Sequence, residues 1–296
     1  FAEVSLISRS FKGLSFLGEI QGWNQDRLAY WNEQPLINYN ERRLRARLGM
    51  QVLFRSWGGF NVGYQVDHFL YRNQVRSEDI LSDYTPALWL SAGIDTRDDV
   101  FVPKNGIFFQ TQAEWAHRAF LYTEAQPEEP LYPLSPPLVR DTAHGAFSYQ
   151  KVQTQVAYFA SPHPQLSVGF WSHGGYVTQP SSDFFLGGAG HFSNAALRVV
   201  GLRRDELTTT RFVSAGISIW SHIKFWESIP RSAVGIFYQG GLYRLDDLYP
   251  DQPSTRIHGF GIGGYINTTI FGPIRIDIVS TEKKDIRIYT AIGFAF

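Results

Sequence analysis

Between Arg43 and Arg55 the side chains change character at every step. Leu44, Ala46, Leu48, Met50, Val52 and Phe54 fall on one side of an extended chain, and Arg43, Arg45, Arg47, Gly49, Gln51 and Arg55 on the other. The same two-residue period sets Val213, Ala215, Ile217 and Ile219 against Ser214, Gly216 and Ser218, and sets Ile274, Ile276 and Ile278 against Arg275 and Asp277. It returns at the end of the chain, where Ile286, Ile288, Ile292, Phe294 and Phe296 alternate with Arg287, Ala291, Gly293 and Ala295. Period two with one apolar face is the signature of strands. It predicts twelve of them, at about 13–24, 42–55, 60–72, 86–96, 106–118, 146–159, 165–178, 210–222, 232–244, 256–268, 273–281 and 286–296. Residues 2–10 alternate weakly through Val4 and Leu6, and are either a linker or one more strand joined at Lys12-Gly13.

Strand length separates two architectures. A soluble sandwich uses strands of about 5 to 6 residues, whereas a tilted strand crossing a bilayer needs about 9 to 11. The runs here are of the longer kind, and their polar faces mix Arg, Gln and Asp with glycine, as a crowded wet lumen requires. The expected fold is therefore all-β, a transmembrane antiparallel β-barrel over residues 13–296, with 1–12 as linker or extra strand. Twelve strands close with even parity; thirteen do not, unless the chain begins part-way through a larger barrel. Connections alternate between short (56–59, 161–164, 271–273) and long (25–41, 119–145, 179–209), which puts the C-terminus on the periplasmic side of an outer membrane. Aromatic residues near strand ends, among them Trp57, Tyr71, Trp115, Tyr158, Trp220, Trp226 and Tyr243, suit the two interfacial girdles.

Composition removes other classes. Among 296 residues, 27 basic side chains balance 27 acidic ones, which gives no electrostatic reason for a nucleic-acid partner. Without cysteine, thiolate metal sites and thiol catalysis are excluded. No run of 18 apolar residues offers a spanning helix. The start at Phe1, with no methionine or leader, is that of a processed or truncated product. No G-x-S-x-G elbow, H-E-x-x-H pair or phosphate-binding loop is present, so no catalytic residue, cofactor or metal site is expected, nor enzyme chemistry within the chain. His173 and His191 near the long connection read as ordinary polar residues.

The connection 179–209 is unlike a solvated loop. Phe184, Phe185, Leu186, Gly187 and Gly188 precede Gly201-Leu202-Arg203-Arg204, a mix of apolar and charged residues that favours burial. Inside a barrel, Arg203 and Arg204 could meet Asp277, Asp95 or Glu114, with Gln239 nearby, and Gly259, Gly261 and Gly263 would leave room for the loop. The arginines 43, 45, 47 and 55 allow two readings: a basic lumen stripe that steers anions or a polypeptide, or a ladder paired with Glu19 and Asp67.

An ordered set of motifs resembles the Omp85 superfamily of outer-membrane proteins. It comprises Asp95-Thr96-Arg97-Asp98 with Pro103-Lys104-Asn105-Gly106, the FFLGG stretch from Phe184, Phe271-Gly272-Pro273-Ile274-Arg275-Ile276-Asp277, and a closing signal in Ile292, Phe294 and Phe296. The resemblance implies a barrel, usually of sixteen strands, behind soluble periplasmic domains. It also implies work in protein translocation, secretion or membrane insertion, with outer-membrane lipid, a polypeptide client or passenger domain and other outer-membrane complex subunits as partners. Members of this family that insert or translocate carry Val-Arg-Gly-Phe/Tyr in the sixth external loop, paired with a barrel aspartate. Here that stretch reads Val200-Gly201-Leu202-Arg203, and neutral Gln239 stands at the partner position. That looser pattern is similar to barrels that anchor patatin-like lipases, which gives an alternative role; a passive porin-like channel is the alternative from a different class.

Overall fold

A computed structural model describes residues 2–7, 13–31, 34–54, 57–73, 79–99, 102–122, 144–178, 184–186, 207–223, 231–244, 255–268, 272–281 and 286–292. These residues form strands and turns and contain no helix. In chain order the strands are β1 (Ala2–Ile7), β2 (Leu14–Trp31), β3 (Gln34–Leu53), β4 (Gly58–Asn73), β5 (Asp79–Asp95), β6 (Gly106–Tyr122), β7 (His144–His163), β8 (Leu166–Val177), β9 (Phe184–Leu186), β10 (Leu207–Thr209), β11 (Arg211–Ile223), β12 (Arg231–Arg244), β13 (Thr255–Thr268), β14 (Gly272–Thr281) and β15 (Ile286–Ile292). The main sheet has thirteen strands in chain order, with β9 and β10 paired apart from it. Each of the twelve predicted strands has its counterpart, and Ala2–Ile7 pairs antiparallel with β2.

Two compact units are distinguished: Phe1–Gly93 with Thr111–Val152 and Val177–Asp183, and Ile94–Gln110 with Gln153–Tyr176 and Phe184–Phe296. In the first, the connection expected at 25–41 is a correction: β2 and β3 run through it and only residues 32 and 33 separate them. The polar composition of 24–42 hid a ladder held in part by side chains, such as Asn40 Nδ2 donating to Asn24 Oδ1 at 2.6 Å. Two strands of 18 and 20 residues are longer than a bilayer crossing requires, so the hairpin continues past the hydrocarbon.

Burial is inverted relative to a soluble protein. The largest fully buried side chains are Gln65, Val279, Thr85, Thr209, Asp67, Ser167 and Ser214, all polar but one. The most exposed include Leu48 at 72 %, Phe260 at 63 % and Ile286 at 74 %. In the second unit a register row crosses five strands as Ile219, Ile236, Ile262, Ile278 and Ile288, every one exposed. Two stacked soluble sheets would bury such a row; a face that meets lipid tails displays it.

The opposite face of the same strands is filled by side chains of unequal size. One row reads Trp220, Gly235, Gly263, Asp277, Tyr289. A Cβ on Gly263 would fall 2.8 Å from the Trp220 ring and 2.5 Å from Asp277 Oδ1, and one on Gly261 would fall 2.6 Å from the Phe237 ring. The space expected over Gly261 and Gly263 for an inserted loop is thus taken by neighbouring aromatic rings. Trp220 and Tyr243 are buried on this face, which corrects their assignment to the girdles; Trp57, Trp115 and Tyr158 are exposed. Parity gives the reason, since Trp220 is in phase with Ser214 and Ser218, and Tyr243 with Gln239. Tyr71 and Trp226 lie outside the residues whose side chains are described.

The expected outcome of Ile236→Arg is a loss of about 2–4 kcal/mol, the cost of a cation near the bilayer midplane. Urea-driven unfolding from lipid vesicles measures it, with Ile236→Leu as the near-neutral control. Equal midpoints for the two variants would mean that this face does not meet hydrocarbon.

Candidate functional site: a polar face stitched by ion pairs

In the first unit the polar face of β2, β3 and β4 is a ladder. Register places Arg45 opposite Asp67, Arg47 opposite Gln65, and Glu19 opposite Arg47. Strand pairing therefore delivers each donor to its acceptor without a loop or a bend. Arg45 donates twice to Asp67, from Nε to Oδ1 at 2.6 Å and from Nη2 to Oδ2 at 3.0 Å. Arg43 Nη2 donates to Asp67 Oδ2 at 2.7 Å. Arg47 donates to Gln65 Oε1 at 2.9 Å, meets Glu19 Oε2 at 3.5 Å and lies 5.3 Å over the Trp89 ring. One buried carboxylate thus binds two guanidiniums, and the bidentate geometry fixes the planes of both partners. Further round, the Tyr149 hydroxyl donates to Glu114 Oε1. Of the two sequence readings of these arginines, the geometry is that of a ladder; Arg55 lies outside the described residues.

The close approach of β3 and β4 is needed for this stacking. A Cβ on Gly63 would sit 2.2 Å from the Leu48 carbonyl oxygen and 2.9 Å from Trp89 Nε1. Glycine there lets Trp89 lie flat beneath Arg47.

In the second unit the candidate partners of the long connection are engaged locally. Arg275 Nε meets Asp277 Oδ2 at 3.0 Å and its guanidinium lies 5.1 Å over Trp220. Gln239 Nε2 donates to Ser214 Oγ at 2.8 Å. Asp95 accepts from the Arg97 side chain at 2.8 Å on both oxygens, and Arg97 lies 4.4 Å over Phe108. His173 packs edge-on to Phe212 at 5.2 Å. Phe184, Phe185 and Leu186 form β9, paired with Leu207–Thr209 as the base of a hairpin. Gly187, Gly188, His191, Gly201, Arg203 and Arg204 lie outside the described residues, as do Phe294 and Phe296; Ile292 pairs with Ile274.

The Asp95–Gly106 motif is a structural turn. Asp98 Oδ1 accepts from the backbone N–H of Lys104 at 2.8 Å and of Asn105 at 3.2 Å, and Thr96 Oγ1 accepts from Ile107 N–H at 2.9 Å. Gly106 has φ of 120°, and a Cβ there would meet the Thr96 carbonyl oxygen at 2.5 Å. Lys104 Nζ reaches the Pro164 carbonyl oxygen at 3.0 Å and Asn105 Oδ1 accepts from Ser161 N–H at 3.0 Å. Two adjacent turns are thereby fastened together. Beside them opens a cavity of about 770 Å³, lined by Asp98, Lys104, His222 and Tyr265 among others.

A long-stranded sheet with polar residues buried and isoleucines displayed has few homes, and the family comparison names one. The Omp85 superfamily domain matches residues 8–296. The chain belongs to the Omp85 superfamily. Among solved structures it is similar to BamA from Haemophilus ducreyi lacking POTRA domains 1–3, with a TM-score of 0.70 and 12 % identity over 98 % of this chain and 61 % of that one. The chain therefore spans about three-fifths of the length of that BamA chain. It is also aligned with the translocator domain of the autotransporter NalP from Neisseria meningitidis, at a TM-score of 0.34 and 10 % identity over 97 % of this chain and 90 % of that one. No curated protein matches. The BamA likeness establishes the barrel fold, and the Omp85 family places the chain in the outer membrane of a Gram-negative bacterium.

Residues that sequence reading did not single out are Gln65, Trp89, Tyr149 and Arg275 as members of these networks. Strand parity carried the signal for Gln65, which is two residues before Asp67, and for Arg275, two before Asp277.

Replacing Asp67 with Asn should cost about 3–5 kcal/mol, because two buried guanidiniums lose their shared carboxylate. Arg43→Gln should cost less, since Arg45 keeps both bonds to Asp67. Urea midpoints in vesicles check the order; equal losses would show that the ladder does not act as drawn.

Proposed function

We propose that this barrel inserts or translocates polypeptide at the outer membrane, working with a polypeptide client and other outer-membrane complex subunits, with its C-terminus on the periplasmic side. The observation that carries the reading is a polar, ion-paired inner face in an Omp85 barrel. A polypeptide backbone passing such a face meets carboxylates, guanidiniums and amides in place of its water. Over the described residues the strand order runs from β1 to β15. A strand at the end of a sheet's order pairs on one side only, so exchanging it for an incoming strand costs least there. In this reading the work is done by strand pairing and the chain itself breaks no bond.

The absence of cysteine makes the test clean, because one introduced thiol is unique. Val4→Cys on β1 should cross-link to a single-cysteine terminal strand of a nascent outer-membrane β-barrel at several times the yield of Leu48→Cys, which is exposed on β3, a strand paired on both sides. Equal yields would remove strand exchange at β1. A large, steady conductance of the purified barrel together with equal yields would identify a passive channel instead.

A further inference from the structure

The connection between β5 and β6 does not stay on its own hairpin. Val102 is buried with Trp220, Ala233 and Tyr265, which lie on β11, β12 and β13. Every residue concerned belongs to the second unit. From β6 to β12 the strand order passes β7, β8 and β11, roughly 19 Å of wall at ~4.8 Å per strand. The connection therefore reaches past the β7–β8 turn to set one aliphatic side chain on the inward face of strands far from its own.

Register shows how that seat is made. Ala233 stands opposite Tyr265 on one side and His222 on the other, and Trp220 is two residues before His222 on the same face. The small side chain of Ala233 beside two large rings leaves a hollow, and Val102, 4 % exposed, fills it. Next to it opens the cavity of about 770 Å³, lined by Lys104, Gln165, His222 and Ser232 as well as by Val102 itself. The present occupant of the seat is thus a piece of polypeptide, with room alongside for more.

The hold is detachable. Asp98 accepts from the backbone N–H of Lys104 and Asn105, and Asp99 Oδ1 accepts from Val102 N–H at 3.2 Å, bonds that lie within the connection and travel with it. Lys104 Nζ on the Pro164 carbonyl oxygen and Ser161 N–H on Asn105 Oδ1 join it to the neighbouring turn, and both bonds are exposed, so water can take either partner's place. Burial of Val102 is different, since only another apolar group can replace it.

We propose that the seat of Trp220, Ala233 and Tyr265 binds an aliphatic side chain of an extended client polypeptide, and that Val102 is a built-in competitor for it. The inference rests on the reading of this barrel as one that handles polypeptide, and adds a binding place at the end of the short connections.

Fluorescence anisotropy on the whole chain in lipid nanodiscs tests it. The probes are a short labelled peptide of alternating Val and Ser and its Asn-for-Val counterpart, with empty nanodiscs as blank. Val102→Ser should bind the Val peptide about tenfold more tightly than the unaltered chain does, the scale of one buried aliphatic side chain. Ala233→Leu, which fills the hollow, should lose that binding; Ala233→Val serves if the leucine variant does not fold, as judged by heat-dependent electrophoretic mobility. The Asn peptide should bind weakly throughout. Equal affinity of Val102→Ser and the unaltered chain would overturn the proposal, as would binding indifferent to substitution at Ala233. Equal binding of the two peptides would overturn it in favour of a polar site in the neighbouring cavity. Cross-linking at Val4→Cys reports separately: its loss with seat binding kept removes strand exchange alone, and the reverse removes the seat alone.

Discussion

Everything in this structure follows from a backbone that must satisfy its own N–H and C=O groups where no water can do so. Long antiparallel ladders meet that demand, and once the ladder is fixed the alternation of side chains assigns each residue within the bilayer to lipid or to lumen. The isoleucine row from Ile219 to Ile288 and the polar row through Trp220, Gly263 and Asp277 are two readings of one register. A slip of one residue would exchange them and place Asp277 and Gln239 in hydrocarbon. The cost of that exchange, several kcal/mol for each charge, explains why register is specified so firmly over strands that share little else.

A polar interior creates a second demand, because buried charges without partners destabilise as much as misplaced ones. The first unit answers it with a carboxylate shared by two arginines, and the second with Arg275 held between Asp277 and the Trp220 ring. In both, the partners come from register or from positions two apart on one strand, so pairing needs no further folding once the strands have zipped. Glycines complete the arrangement where a Cβ would strike a ring, as at Gly63 under Trp89 and Gly263 beside Trp220. In each unit the inward face is thus covered by side chains of neighbouring strands over the described residues, and the aromatic rings stiffen the cations that they cover.

Alternation made the twelve long strands legible, together with the sign of each face, since it depends on nothing beyond residue order. Legibility failed where the rule was not applied to its end. Trp220 and Tyr243 were expected at the interfaces from residue type, although their parity with Ser218 and Gln239 already put them inside. It failed differently at 25–41, where β2 and β3 pass beyond the bilayer: with neither face in lipid, alternation carries no information, and Asn, Asp and Arg look like loop residues while forming a ladder. The candidate lumen partners were found by charge, but charge alone could not say that Asp95 is taken by Arg97 two residues on, or that Asp98 closes a turn. Gly187 through Arg204, where the family resemblance was most particular, lie outside the described residues.

The two faces also differ in how far their interactions can be exchanged. Lumen pairs are specific, since Asp67 binds Arg43 and Arg45 through three directed hydrogen bonds. Outer-face contacts are generic along the isoleucine band, because one lipid tail replaces another at no cost. The ends of the strand order lie between these cases. Ladder bonds there are as directional as any in the sheet, yet any backbone can supply them, since β-pairing reads main chain before side chain. If the barrel accepts many different polypeptides, as proposed, it needs an interaction both strong and indifferent to sequence. On the proposed reading, strand pairing at β1 and β15, the ends of the described order, has both properties.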